Sequence, residues 1–127
     1  MTREWERSGI KKGQEFAVLT DVITESWSGF TTKQYKKHKG LKTESLRDNM
    51  TNLELVFNML AEASTSEISK KENPKSFNDS RNIAHRGGKV AGVARKELEE
   101  QTGQKIVSPL NAKKSLIKQN AKNLINK

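Results

Sequence analysis

The basic residues between positions 33 and 47 are the first group in this 127-residue chain that could do chemistry. Six cations stand there against the single acid Glu44, with Tyr35 among them, a composition typical of a surface that contacts nucleic-acid phosphates. Two short helices separated by Gly40 have the outline of a helix-turn-helix. A solvated surface without a ligand is the alternative interpretation. The candidate contacts are Lys33, Lys36, Lys37, Lys42 and Arg47.

A second group lies in RGGKVAGVAR, residues 86–95, which places three glycines in an otherwise helical stretch. Each glycine costs about 1 kcal/mol relative to alanine in a helix interior, so some gain must offset it. One interpretation is close packing, because Ala84, Gly88 and Gly92 share a helical face. The other is that Gly87 and Gly88 end one helix and open another, whose free amides bind phosphate. The cations of that second site are Arg86, Lys89 and Arg95.

Catalytic and metal-binding chemistry has few candidate residues. The chain has no cysteine, which excludes disulfides, thiolate zinc sites and iron–sulfur clusters. Neither of the two histidines, His38 and His85, has a metal-ligand partner at helical spacing. We therefore expect no enzyme activity, no cofactor, no metal and no small-molecule substrate.

The overall charge favours an acidic partner. Lys and Arg number 24 against 15 Asp and Glu, which gives a formal charge of +9 and a field that attracts polyanions. The same charge can also serve only to keep a small protein in solution. The chain contains no apolar run of the roughly 20 residues that cross a bilayer, and its N-terminus lacks the apolar core of a signal peptide. A cytoplasmic protein without membrane contact is expected.

Apolar periodicity predicts the helices that position these groups. The first runs from Phe16 to Trp27, and a short second one ends near His38. Thr51 and Glu54 form a capping box that starts a central core helix. Its predicted core-facing stripe is Leu53, Val56, Phe57, Leu60, Ala61 and Ala63, and its predicted solvent face carries Glu54, Asn58, Glu62 and Thr65.

A third long helix, capped by Asp79 or Ser80, is predicted to run to about Gln101, with Gly103 as its stop. These elements predict an all-α fold, a small bundle of three to five helices. Residues 1–15 are expected to form an N-terminal arm and residues 16–104 the helical domain. Residues 105–127 are expected to form an extended segment and a basic C-terminal helix or tail, which can be flexible until a partner orders it.

Two blocks, KGLKTESLRDNMTNLELVFNMLAEASTSEIS and RGGKVAGVARKELEEQTGQKIVSPLNA, resemble the C-terminal half of DNA-damage-inducible protein D and of related Bro-type phage antirepressors. The likeness covers about residues 10–112. Fuller members of that family carry an N-terminal Bro-type domain to which DNA binding is attributed. The resemblance implies a role in the bacterial response to DNA damage, acting on recombinase–DNA filaments, or in prophage regulation. It implies no catalytic residues.

The leading hypothesis is therefore an accessory binding protein that associates with DNA or a recombinase–DNA filament through the two groups of cations. The alternative is a protein-interaction or dimerisation module with no direct DNA contact. In that alternative the packing face lies between subunits. Its residues are Ala84, Gly88, Gly92 and Phe57.

Overall fold

The computed structural model describes residues 2–7, 9–11 and 13–111 of the chain. Their helices are α1 (Thr2–Arg7), α2 (Gln14–Ser28), α3 (Thr32–His38), α4 (Asn52–Glu72) and α5 (Phe77–Thr102), with a 3-10 turn at Arg47–Asn49. No strand occurs within these described ranges. The prediction of a small all-α bundle is confirmed.

Side-chain caps and left-handed stops set the helix boundaries. The predicted capping box of Thr51 and Glu54 is present at the start of α4, and Gly103 ends α5 with a φ of 68°. The start of α5 differs from the prediction, because Ser76 is the N-cap and accepts a hydrogen bond from the Asp79 amide. Asp79 therefore lies in the first turn, where its negative charge suits the helix dipole.

The three long helices, α2, α4 and α5, build the core. Helix α5 packs against both α2 and α4, and α3 contacts α2. Trp27 at the centre is fully buried and stacks against Phe57 with ring centroids 6.3 Å apart. The buried apolar side chains of these helices include Leu19, Ile23, Trp27, Tyr35, Phe57, Ala61, Ala84 and Ala91.

Three glycines bring the backbone of α5 against its neighbours. A Cβ atom at Gly87 would lie 2.6 Å from the Cα of Thr65 in α4. At Gly88 it would lie 2.8 Å from the Ile23 carbonyl oxygen of α2, and at Gly92 2.7 Å from that of Ser26. With any larger residue at these positions, α5 could not approach α4 and α2 so closely. The close packing offsets the helix-propensity cost of the three glycines.

Helix α5 also runs unbroken from Phe77 to Thr102. The interpretation in which Gly87 and Gly88 end one helix and open another is therefore wrong. The amides near these glycines belong to a helix interior and are not free to bind a phosphate.

Helix α4 is rotated relative to the sequence-based prediction. Phe57 and Ala61 face the core as expected, but the rest of the predicted stripe faces solvent. The exposed side chains are Leu53, Val56, Leu60 and Ala63. The predicted solvent face carries residues that are in fact buried, namely Glu54, Asn58 and Thr65. These polar groups are tolerated inside because each finds hydrogen-bond partners there.

The segments outside the predicted helical domain also contribute to the packing. Residues 1–15 were expected to form an arm, yet Trp5 of α1 is only 3% exposed and meets the Phe16 ring edge-on at 5.1 Å. Ile106 is likewise buried, in the extended segment after α5. The predicted C-terminal helix falls on residues 112–127, which lie outside the described residues.

The Gly87→Ala variant tests the close approach of α5 to α4. We expect it to lower the free energy of unfolding by about 2 kcal/mol, because the strain of overpacking outweighs the gain in helix propensity. Urea denaturation measures this change. Lys89→Ala, at an exposed position of the same helix, should stay within about 0.5 kcal/mol of the parent. A Gly87→Ala protein as stable as the parent would contradict the packing described here.

Candidate functional site

The predicted basic patch around α3 is only partly available to a ligand. Lys33, Lys37 and Lys42 are exposed, and Lys36 is half-buried at the edge of a cleft. Lys39, one of the six cations counted in this patch, is fully buried. The surface that α3 and the following loop present to solvent thus carries a smaller positive charge than the sequence indicates.

Arg47 and Arg86 are both engaged by acids of α4. Arg47 Nη1 lies 3.2 Å from Glu62 Oε1. The two terminal nitrogens of the Arg86 guanidinium donate to the two carboxylate oxygens of Glu72 at 2.9 and 2.6 Å. This bidentate contact raises the pKa of Arg86 and lowers that of Glu72. Arg86 therefore links α5 to the end of α4 and is not a free phosphate ligand.

Arg95 has a structural role. Its Nε donates to the Trp27 carbonyl oxygen at 2.6 Å, and its Nη1 to Glu99 Oε1 at 2.8 Å. Burial alone would raise the pKa of Glu99, but the Ile106 amide and the Arg95 guanidinium outweigh it and lower the pKa. Arg95 thus binds the C-terminal end of α2, and Glu99 holds the segment after α5. This geometry does not support the phosphate-binding role predicted for Arg95. Lys89, the third cation of that predicted site, is exposed on α5.

A buried polar network occupies the junction of α3 and α4. Lys39 Nζ lies 2.7 Å from Glu54 Oε1, and both side chains are 0% exposed. The second carboxylate oxygen accepts a hydrogen bond from the Tyr35 hydroxyl. Burial, together with the Glu54 carboxylate, raises the pKa of Tyr35 far above its ordinary value, so the hydroxyl stays protonated and donates. Thr51 supplies a further donor, its amide, at 2.9 Å.

The same network holds the chain after α5. Lys39 Nζ donates to the Leu110 carbonyl oxygen at 2.6 Å, and the Asn111 side-chain amide donates to the Lys39 carbonyl oxygen at 3.0 Å. The Ser108 amide lies 3.3 Å from Glu54 Oε2. The side chains of Lys39 and Glu54 are closed to solvent and bound by these internal contacts, so the chemistry of the network is structural. Neither Lys39 nor Glu54 was predicted to be buried, because the charge of each, taken alone, indicates a surface position.

One surface of α4 and α5 is apolar. Six large hydrophobic side chains on α4 and α5 are exposed by 37 to 59%. We call this set the apolar face; it consists of Leu53, Val56, Met59, Leu60, Val90 and Val93.

Helix geometry aligns the two halves of the apolar face. Thr65 lies against Gly87, and a short connection makes α4 and α5 antiparallel. Leu60 lies five residues before Thr65 on α4. Because the two helices are antiparallel and rise equally per residue, Leu60 lies beside the residue five positions after Gly87, which stands between Val90 and Val93.

The apolar face also lies on one side of the bundle. Gly88 faces α2, and Val90, two residues later at about 3.6 residues per turn, points almost the opposite way. On α4, Asn58 accepts a hydrogen bond from Trp27 of α2 at 3.2 Å, and Leu60 is again two residues later. Both halves of the face are thus turned away from α2 and form one surface.

The predicted packing residues lie inside the bundle. Ala84, Gly88 and Gly92 are buried against other helices of the same chain, and Phe57 packs on Trp27. They are consequently not available to a second subunit. Leu53, Val56 and Leu60 of the apolar face, which apolar periodicity assigned to the core, are exposed instead.

Among the described residues, no cluster of three histidine, aspartate or glutamate side chains is suited to hold a metal ion. None of the described helices is both long and apolar enough to cross a membrane. No protein-family model, no curated protein and no solved structure matches this chain.

Proposed function

We propose that this chain is a non-enzymatic protein-interaction module that binds its partner through the apolar face of α4 and α5. The observation that carries the proposal is the exposure of six large hydrophobic side chains on adjoining surfaces of two helices. Scattered apolar residues are normal on a protein surface, but a contiguous patch usually marks a site of association.

The exposure of these side chains costs folding free energy, which supports a functional role for them. Burying a Leu or Val side chain typically contributes about 1.5–3 kcal/mol to folding, and α4 leaves Leu53, Val56 and Leu60 outside the core. A partner that covers these side chains recovers that contribution on binding. Little backbone freedom is lost on binding, because the face lies on two packed helices rather than on a loop.

The resemblance to the C-terminal half of DNA-damage-inducible protein D suggests which partner to test first. We propose a bacterial recombinase filament assembled on single-stranded DNA. The apolar face would contact the protein component of that filament. The exposed lysines of α3 would reach the DNA phosphates only if the filament contacts α3 and the apolar face at the same time.

The double variant Val56→Ser with Leu60→Ser tests the apolar face. We expect about a tenfold or greater loss of affinity for the filament, because each truncated contact at an interface centre typically costs about 1 kcal/mol or more. Co-sedimentation with filaments measures the binding. Thermal unfolding should change little, since both side chains are exposed in the free chain.

Val18→Ser is the matched control, because Val18 is an exposed valine on α2 and lies outside the apolar face. It should leave binding unchanged. Equal binding by the parent and the double variant would contradict the proposal. Sedimentation velocity of the chain alone tests the alternative that the apolar face is a dimer interface. In that case the parent forms a concentration-dependent dimer, and the double variant does not.

Direct contact with nucleic acid is the second candidate function. The observation that favours it is the set of cations that remains exposed on α3 and the following loop: Lys33, Lys37 and Lys42. Lys33 and Lys37 are four residues apart and share one side of α3. Such a group supplies affinity for phosphates without sequence specificity.

Replacing Lys33 and Lys37 with alanine tests this second candidate. If both contact phosphates, the slope of the logarithm of affinity against the logarithm of salt concentration should decrease by about two for duplex DNA. Fluorescence anisotropy with labelled DNA measures the slope. The matched control removes the same charge from Lys75 and Lys96, which are exposed elsewhere. Equal losses from both pairs would show that net charge, not a site on α3, causes the binding.

A further inference from the structure

A cleft of about 450 Å³ lies between α1, α2, α3, the 3-10 turn and α4, on a different part of the bundle from the apolar face. Its volume falls within the range of roughly 300–1,000 Å³ that is usual for small-ligand sites. Its apolar wall consists of Trp5, Ile23, Leu46 and Met50.

The charged groups of the cleft leave one cation uncompensated. Glu62 lines the cleft but is engaged by Arg47 at 3.2 Å and by the Asn58 side-chain amide at 2.8 Å. Arg47 is in turn neutralised by that contact. Lys36 also lines the cleft, and it forms no ion pair within the described part of the chain. The cleft therefore combines an apolar wall with one free positive charge.

The rest of the lining is polar but uncharged. Thr20, Thr32 and Ser45 add hydroxyl-bearing side chains to the lining. Trp5 is 3% exposed, and its indole N–H has no hydrogen-bond partner among the described residues. The cleft therefore combines an apolar wall with several polar side chains and one unpaired cation, a composition that suits an amphipathic small molecule.

We infer that this cleft binds a small organic carboxylate with a flat apolar body. Its carboxylate would pair with Lys36, and its body would pack on Trp5, Leu46 and Met50. A cationic ligand is disfavoured, because Lys36 repels it and the Glu62 carboxylate is already paired with Arg47. The sequence predicted no small-molecule substrate. It could not show the cleft, because the lining residues come from five separate elements.

Two methionines make the test specific to the cleft. Met50 lines it, whereas Met59 lies on the apolar face. Phenylpropionate is titrated into the full chain carrying methyl-labelled methionine, with phenylpropionamide as the neutral analogue. The Met50 methyl signal should shift and saturate while that of Met59 stays constant. The carboxylate should bind about fivefold more tightly than the amide, the upper range for a partly exposed ion pair.

Lys36→Met should remove this preference for the carboxylate, because methionine keeps the apolar stem and removes the charge. Lys33→Met, which removes an exposed lysine three residues earlier on α3 and outside the cleft, should keep it. Ser45→Phe should abolish the Met50 response by filling the cleft. The inference is overturned if Met50 does not respond, if Met59 responds equally, if acid and amide bind alike, or if both lysine variants behave the same.

Discussion

The buried contact between Lys39 and Glu54 is the constraint on which the rest of the structure depends. Taking each charge out of water costs several kcal/mol, so the pair is compatible with a stable fold only if every group in it has a partner. The Tyr35 hydroxyl and the Thr51 and Ser108 amides also donate to Glu54, and the Leu110 carbonyl oxygen accepts from Lys39. Helix α3, the start of α4 and the segment after α5 are thereby fixed relative to one another.

This constraint determines which side of α4 faces inward. With Glu54 directed into the core, the residues four and eleven positions later, Asn58 and Thr65, must follow it. Asn58 meets the Trp27 indole, and Thr65 fits only because Gly87 has no side chain. The apolar side of the same helix is turned to solvent. The interior network and the exterior apolar face are thus two consequences of one helix rotation, which connects the fold to the proposed function.

Local signals predicted the elements well but not their orientation. The capping box at Thr51 and the stop at Gly103 depend on neighbouring residues, so sequence reasoning found them. The inward face of α4 depends on Lys39, which lies fifteen residues before Glu54, directly after the end of α3. Apolar periodicity alone therefore assigned the wrong side to the core. The short helix α1 was missed because its buried Trp5 stands between charged residues.

The sequence predicted which residue types form the candidate site but not how these residues are arranged. Charge identified the cations, but only the fold shows that Arg86 is bound by Glu72 and Arg95 by Glu99. These acids are not distinguished in the sequence from others nearby. Likewise, three glycines indicated close packing, but the sequence did not show whether the neighbour was a helix of the same chain or of another. The apolar face could be found only after α4 was placed.

A double-mutant cycle of Lys39→Met and Glu54→Gln tests the central claim most directly. Urea denaturation gives the free energy of unfolding of the parent, the two single variants and the double variant. Each single variant should lose about 3–5 kcal/mol, because it leaves its partner buried without a counter-charge, and the double variant should lose clearly less than the sum. Small, additive losses would show that the two side chains are solvated and would contradict the account.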